Sequence, residues 1–93
     1  MTTYKLPDRD VVMYARRGCG YCDAAAALLD ERGIDYEHID VTGDDAARRW
    51  LREVTGRHTV PQIFIKGRSI GGFTELSALD RSGELARLLS SSQ

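Results

Sequence analysis

The amino-acid sequence predicts an α/β domain in which a four-stranded mixed sheet is flanked by helices. The first half alternates short apolar runs with stretches of strong helix formers, a βαβα pattern. The second half contains two apolar runs separated by a two-residue turn, which is typical of a β-hairpin. A length of 93 residues suits one domain spanning residues 1–93, with its core between about residues 10 and 89.

The first half of the chain supplies two strands and the helix between them. Val11 to Tyr14 is a continuous apolar run, as in a strand buried on both faces. Helix formers follow from about Tyr21 to Arg32, and Gly33 stands where a helix commonly ends. Ile34 to Val41 then indicates a second strand. A right-handed crossover would make the two strands a parallel pair.

A second helix is predicted after an acidic turn at Asp44 and Asp45, and Gly56 is predicted to close it. Its apolar residues recur at helical spacing and are expected to share one face: Ala47, Trp50, Leu51 and Val54. Trp50 is therefore predicted to lie in the core.

The second half of the chain predicts a hairpin and two short helices. Gln62 to Ile65 is a strong strand, and Arg68 to Ile70 returns after the turn Lys66-Gly67. Thr74 is predicted to be the N-cap of a third helix. Glu84 to Leu89 is predicted to form a last short helix.

Composition argues against several classes of function. A formal net charge of −1 gives no electrostatic reason to expect nucleic acid or an anionic membrane as a partner. No apolar run approaches the roughly 20 residues of a spanning helix, and the N-terminus lacks the apolar segment of a signal peptide. We therefore expect a cytoplasmic protein. In that compartment a C-x-x-C pair is expected to be catalytic or metal-binding, since structural disulfides are uncommon there.

The two cysteines of the chain form such a pair, Cys19-Gly20-Tyr21-Cys22, between the first strand and the first helix. A βαβ unit, a hairpin and a helix, in this order, are typical of the thioredoxin fold, and chemistry is then expected where the first strand ends. A thiolate at a helix N-terminus is stabilised, which favours Cys19 as a nucleophile over a small buried hydrophobe. A structural zinc site is disfavoured because four ligands are usual.

Three segments together resemble the glutaredoxins, specifically the small dithiol class, and the likeness runs from about Asp10 to Leu89. The segments are Cys19 to Cys22, Thr59 to Ile65 (TVPQIFI) and Ile70 to Leu76 (IGGFTEL). One position departs from the commonest active site of the family, because Gly20 stands where proline is usual.

The resemblance implies a glutathione-dependent thiol-disulfide oxidoreductase that reduces glutathione mixed disulfides and protein disulfides. Cys19 would attack, and Cys22 would resolve the intermediate unless its role is structural. Its partners would be glutathione and disulfide-bonded or glutathionylated proteins, and the redox form would be a monomer. This activity would require neither a bound metal nor a nucleotide.

The resemblance also implies where glutathione binds. Arg16 would contact the glycine carboxylate with help from Arg57, and the start of the third helix would take the γ-glutamyl carboxylate. Val60 would pair with the cysteinyl moiety as an added strand does, next to a cis Pro61. The implied contact residues are Arg16, Tyr21, Thr59, Val60, Pro61, Gly72, Phe73 and Thr74, with Glu75 near the γ-glutamyl amino group.

Simpler interpretations stand beside these. Arg16 and Arg57 could be ordinary surface charges, Tyr21 an exposed filler, and Pro61 a trans proline that starts an edge strand.

Two alternative functions also stand beside the redox enzyme. A [2Fe–2S] carrier would be a dimer in which Cys19 and a bound glutathione from each subunit hold the cluster, and Gly20 keeps this open because some family members with glycine there bind one. A thioredoxin-type partner that ignores glutathione is disfavoured by Arg16 and by the segment from Gly71 to Glu75.

Overall fold

A computed structural model describes residues 9–90, so residues 1–8 and 91–93 of the predicted domain lie outside the described part of the chain. The elements are β1 (Val11–Ala15), α1 (Gly20–Glu31), β2 (Glu37–Asp40), α2 (Asp45–Thr55), β3 (Gln62–Ile65), β4 (Arg68–Gly71), α3 (Phe73–Ser82) and α4 (Glu84–Ser90). None of the described helices combines the length and the hydrophobicity that crossing a bilayer requires.

The strands form one sheet in the order β2-β1-β3-β4. β1 pairs parallel with β2 and antiparallel with β3, and β3 and β4 form the hairpin. The hairpin turn places Lys66 and Gly67 at positive φ, as a two-residue turn of this kind requires. The mixed sheet and the order of its elements confirm the predicted thioredoxin fold.

The core lies on both faces of the sheet because successive side chains of a strand point to opposite sides. On one face, Met13 and Ile63 pack with Leu29 of α1, Leu76 of α3 and Leu85 of α4. On the other face the cluster is closed by α2, and its buried members are Val12, Tyr14, Val41, Ala47, Leu51 and Phe64. The continuous apolar run of β1 is therefore buried on both faces, as predicted.

The predicted apolar face of α2 is only partly correct. Ala47 and Leu51 are buried, whereas Val54 is 48% exposed, so its predicted place on the packed face is wrong. Trp50 is partly buried at the edge of the cluster, where its ring lies 5.7 Å from that of Tyr14 and 6.3 Å from that of Phe64. Helical periodicity gives the direction of a side chain, but only the placement of α2 over the sheet decides how much of that face is covered.

The second strand is shorter than predicted. It spans Glu37–Asp40 and pairs with β1 from Val12 to Ala15. The N–H of Val41 still donates to the carbonyl of Ala15 at 2.8 Å, so the predicted strand is too long mainly at its N-terminal end. Ile34 and Tyr36 instead pack against the core from the connection that precedes the strand. Local preference alone therefore extended the prediction beyond the N-terminal end of the hydrogen-bonded ladder.

The third helix begins earlier than predicted. Its N-cap is Gly72, and Thr74 lies within the first turn, so the prediction that Thr74 is the N-cap is wrong. The reason is that Glu75 performs the capping. Its carboxylate reaches back and accepts the N–H of Gly72, a contact that the sequence pattern of a threonine before an apolar run does not indicate.

Candidate active site

The cysteine pair lies where β1 ends and α1 begins. Cys19 is the N-cap of α1, and its Sγ accepts a hydrogen bond from the backbone N–H of Cys22 at 3.1 Å. The two cysteines are joined as a disulfide, and both are buried, with 7% of Cys19 and 3% of Cys22 exposed. The Sγ of Cys19 therefore faces the positive end of a helix dipole, the environment that stabilises negative charge on sulfur.

The loop that presents Cys19 is anchored to the neighbouring strand. The N–H of Arg17 donates to the hydroxyl of Thr42, and that hydroxyl donates to Asp40 at the end of β2. The hydrogen bonds that Asp40 accepts from the hydroxyl and the backbone N–H of Thr42, together with the nearby Arg17 guanidinium, lower the pKa of the Asp40 carboxyl. Arg17 is thus partly neutralised by an anionic neighbour 3.9 Å away. Arg16 donates instead to the carbonyl of Arg17, at 3.1 Å, and is exposed at the surface.

A groove of about 290 Å³ lies beside the cysteines. One wall is the connection before β3, and the other is the start of α3. Its lining residues are Tyr21, Arg57, Thr59, Val60, Pro61, Gly72, Phe73, Thr74 and Glu75. The structure thus brings together the residues that the resemblance implies for a glutathione site, with one exception. Arg16 does not line the groove, and its role stays a prediction.

The connection before β3 reaches the reactive sulfur. The peptide bond between Val60 and Pro61 is cis, as the resemblance implied. The carbonyl oxygen of Val60 lies 3.7 Å from the Sγ of Cys19. Across the groove, the ring of Tyr21 stacks on that of Phe73 with centroids 6.2 Å apart. Tyr21 is nevertheless 67% exposed, so it offers an uncovered aromatic edge beside the cysteines.

The start of α3 is held by an acidic side chain. Glu75 accepts the Gly72 N–H at 2.8 Å and lies 3.5 Å from a guanidinium nitrogen of Arg57. The Gly72 hydrogen bond is the main reason that the pKa of Glu75 is lowered, and Arg57 adds to it. Glu75 therefore joins the two walls of the groove. The first-turn N–H groups of α3 point to the same end, where a helix lacks internal acceptors.

One residue that shapes this region, Gln62, was not predicted from the sequence. Gln62 is fully buried, and its amide nitrogen donates to the carbonyl of Thr59 at 2.8 Å. Its Oε1 has no partner among the described residues. Gln62 thereby fixes the backbone that forms one wall of the groove. The available signal was a single amide in the otherwise apolar strand sequence Gln62 to Ile65.

Comparison with known proteins agrees with this geometry. The sequence model of the glutaredoxin family matches residues 11–70. The chain belongs to the glutaredoxin family. It is 41% identical over 80 residues to glutaredoxin 3 of Escherichia coli K12, covering 86% of this chain and 96% of that protein. It is also 41% identical over 80 residues to a glutaredoxin of Pseudomonas aeruginosa, covering 86% and 95% of the two chains.

Solved glutaredoxin structures share the fold. A buckwheat glutaredoxin–glutathione complex matches with a TM-score of 0.83 and 33% identity, over 87% of this chain and 76% of that one. The solution structure of a glutaredoxin from Brucella melitensis matches with a TM-score of 0.77 and 42% identity, over 86% and 87%. Family membership and the cysteine pair make this glutaredoxin a thiol-disulfide oxidoreductase, as predicted. The roles of its individual site residues stay predictions.

Proposed function

We propose that this glutaredoxin reduces glutathione mixed disulfides through Cys19 and draws its reducing equivalents from glutathione. The observation that carries the proposal is the position of the Cys19 Sγ, which caps α1 and lies 3.1 Å from the Cys22 N–H. In the reduced enzyme a thiolate there gains the helix N-terminus and a backbone donor. A thiolate, and not a thiol, is the nucleophile in disulfide exchange.

The proposed reaction is two successive exchanges. The Cys19 thiolate attacks the glutathione sulfur of a mixed disulfide, the substrate sulfur leaves as a thiolate, and water protonates it. A second glutathione thiolate then attacks the glutathione sulfur on Cys19, which releases glutathione disulfide and regenerates the Cys19 thiolate. Alternatively, Cys22 attacks Cys19 and expels glutathione. That second route ends in the Cys19–Cys22 disulfide, the state of the structure.

The groove supports a specific orientation of glutathione. The cysteinyl moiety would lie along Val60, whose carbonyl is 3.7 Å from the Cys19 Sγ, and would pair with its backbone. The γ-glutamyl carboxylate would meet the first-turn N–H groups of α3 at Phe73 and Thr74. The γ-glutamyl amino group would then meet Glu75. Thr59, Pro61 and Gly72 would line the same groove, and Tyr21 would pack against the peptide.

The glycine carboxylate of glutathione would fall at the arginine end of the groove. Arg57 lines the groove but already contacts Glu75 at 3.5 Å, so a carboxylate would share this guanidinium. Arg16 would be the second cation, and reaching the carboxylate requires that its side chain leave the carbonyl of Arg17. Two guanidinium groups would then bind one carboxylate by charge-assisted hydrogen bonds.

The proposed function also has consequences for partners, oligomeric state and compartment. Protein substrates would be disulfide-bonded or glutathionylated proteins, the redox form would be a monomer, and the protein would act in the cytoplasm.

The [2Fe–2S] alternative still rests on Gly20. Within residues 9–90, no group of three or more His, Cys, Asp or Glu side chains could hold a metal. A cluster would therefore need Cys19 and glutathione from each of two subunits.

The test is glutathione-coupled reduction of a small glutathione mixed disulfide by the wild type, Cys19→Ser and Cys22→Ser. We expect Cys19→Ser to lose more than about 10³-fold in kcat/KM, because a serine hydroxyl is not ionised at neutral pH. Cys22→Ser should retain activity, since glutathione resolves the intermediate. An inactive wild type, or equal losses in both variants, would contradict the proposal. A visible absorbance band and a dimer after anaerobic reconstitution would support the cluster alternative.

A further inference from the structure

A second feature of the surface lies beside the groove and takes no part in the mechanism above. Three arginines of α2, Arg48, Arg49 and Arg52, line a concavity of about 370 Å³ together with His58 and Asp45. We call these five residues the basic patch. Arg49 and Arg52 are exposed, and neither forms an ion pair with any residue in the described part of the chain.

The basic patch differs in the sign of its charge from the chain as a whole. The chain as a whole has a formal net charge of −1, whereas the patch holds three arginines and one aspartate. Arg48 and Arg52 are four residues apart on α2, and Arg49 and Arg52 are three apart. Like charges at these spacings destabilise a helix by a few tenths of a kcal/mol. Asp45, four residues before Arg49, offsets part of this repulsion, and the patch keeps an excess of positive charge.

The basic patch is continuous with the groove. A guanidinium nitrogen of Arg48 lies 3.4 Å from the carbonyl oxygen of His58. His58 directly precedes Thr59, which lines the groove. Arg57, on the other side of His58, lines the groove itself and contacts Glu75. A substrate polypeptide whose cysteine lies next to Cys19 would therefore reach the basic patch by extending past Thr59 along this connection.

We propose that the basic patch is a docking surface for an acidic segment that flanks the reactive cysteine of a protein substrate. This inference rests on the proposed function and adds a substrate class to it. Guanidinium groups bind carboxylates through charge-assisted, often bidentate hydrogen bonds, and unpaired exposed arginines keep their donors available for them. A positive patch next to the groove also raises the association rate of acidic partners at low ionic strength.

The test compares glutathionylated peptides that differ only in the four residues beyond the cysteine: all Glu, all Gln or all Lys. We expect wild-type kcat/KM at low salt to fall in the order Glu, Gln, Lys, with about a 3- to 10-fold preference for Glu over Gln. The preference should shrink at 0.3 M salt because exposed charges are then screened. Arg49→Gln/Arg52→Gln should bring the Glu-to-Gln ratio close to 1.

The matched control is Arg68→Gln/Arg81→Gln, which removes the same charge from two exposed arginines outside the basic patch. It should keep the preference for the acidic peptide. A wild type without that preference, a preference kept by Arg49→Gln/Arg52→Gln, or an equal loss in the control would each overturn the proposal. Both double variants should reduce the small glutathione mixed disulfide at the wild-type rate, so failure of the underlying activity is recognised separately.

A binding measurement keeps the docking surface testable even if the enzyme is inactive. The acidic peptide with serine in place of cysteine is titrated into the wild type and both double variants at low salt. Binding weakened about 5-fold or more by Arg49→Gln/Arg52→Gln alone is expected. Equal or tighter binding of a single-stranded oligonucleotide of the same charge would assign the patch to nucleic acid and overturn the proposal.

Discussion

The helix starts of α1 and α3 meet at the same site but are capped in different ways. At α1 the cap is the reactive atom itself, because the Sγ of Cys19 accepts the N–H of Cys22 at 3.1 Å. At α3 the N-cap is Gly72, which has no side chain, and the carboxylate of Glu75 accepts its N–H at 2.8 Å. One helix start thus presents a nucleophile, and the other holds a fixed anion.

This difference shows how similar local structures serve two tasks. A helix N-terminus stabilises negative charge wherever it is placed. At α1 that charge must be free to react, so the cap is a sulfur that changes between thiolate and disulfide. At α3 the Glu75 carboxylate, whose pKa is lowered, also contacts Arg57 and holds the groove wall. The start of α1 therefore serves the reaction, and the start of α3 serves the shape of the groove.

The largest expected effect comes from breaking the α3 cap with Gly71→Ala. Gly71 has φ of +104°, and a Cβ there would lie 2.8 Å from Oε1 of Glu75. We expect a loss of about 1–3 kcal/mol in the free energy of unfolding, and a raised KM for glutathione. Gly43→Ala is the control, since Gly43 has φ of +71° with open space around a Cβ. Urea denaturation gives the free energy of unfolding of both variants, and equal losses in that free energy would mean that Glu75 is not displaced.

At α1 the capping and the chemistry can be separated by comparing Cys19→Ser with Cys19→Ala. Both variants lack the disulfide and the nucleophile, but serine can still accept the N–H of Cys22. We expect Cys19→Ser to be more stable than Cys19→Ala by about 0.5–2 kcal/mol. Equal unfolding free energies, measured by urea denaturation under reducing conditions, would show that the cap at position 19 adds no stability.

The first position of α1 offers a stabilising change. Gly20 begins the helix directly after Cys19, and a Cβ on it would meet no atom within 4 Å. Cys19 is extended, with φ of −117° and ψ of 108°, which is compatible with a following proline. We expect Gly20→Pro to raise the free energy of unfolding by about 0.4–1 kcal/mol, and Gly20→Ala to act as the milder control. Thermal denaturation measures the change, and a lower melting temperature for both variants would contradict this prediction.

The smallest expected effect is a change in acid stability at the α3 cap. The Gly72 N–H lowers the pKa of Glu75 below its ordinary value of 4.5 in the folded state. Stability from this contact is therefore complete above pH 4.5 and is lost as the pH falls through the lowered pKa.

Glu75→Gln keeps an acceptor for Gly72 but cannot titrate. Its unfolding free energy should fall less steeply than that of the wild type below pH 4.5, by less than about 1 kcal/mol because the side chain is 40% exposed. Urea midpoints between pH 3 and 7 measure the difference, and parallel curves would exclude a stabilising carboxylate.

The sequence by itself determined the order of the elements and the place of the reactive pair. Hydrophobic period and glycine turns are local properties, so β1, β3 and the Lys66-Gly67 turn were predictable within a residue or so. The C-x-x-C pair after an apolar strand indicated redox chemistry, and three motifs indicated the family. Most of the groove residues followed from those motifs.

Only the tertiary structure decided how far each pattern extends and what each polar group contacts. The register with β1 limited β2 to Glu37–Asp40, and the placement of α2 left Val54 exposed. The role of Glu75 as the cap of α3, the burial of Gln62 against Thr59 and the position of Arg16 outside the groove depend on residues distant in sequence or on the path of the backbone. Hydrogen bonds and burial are set by neighbours in space, and local sequence preferences do not contain that information.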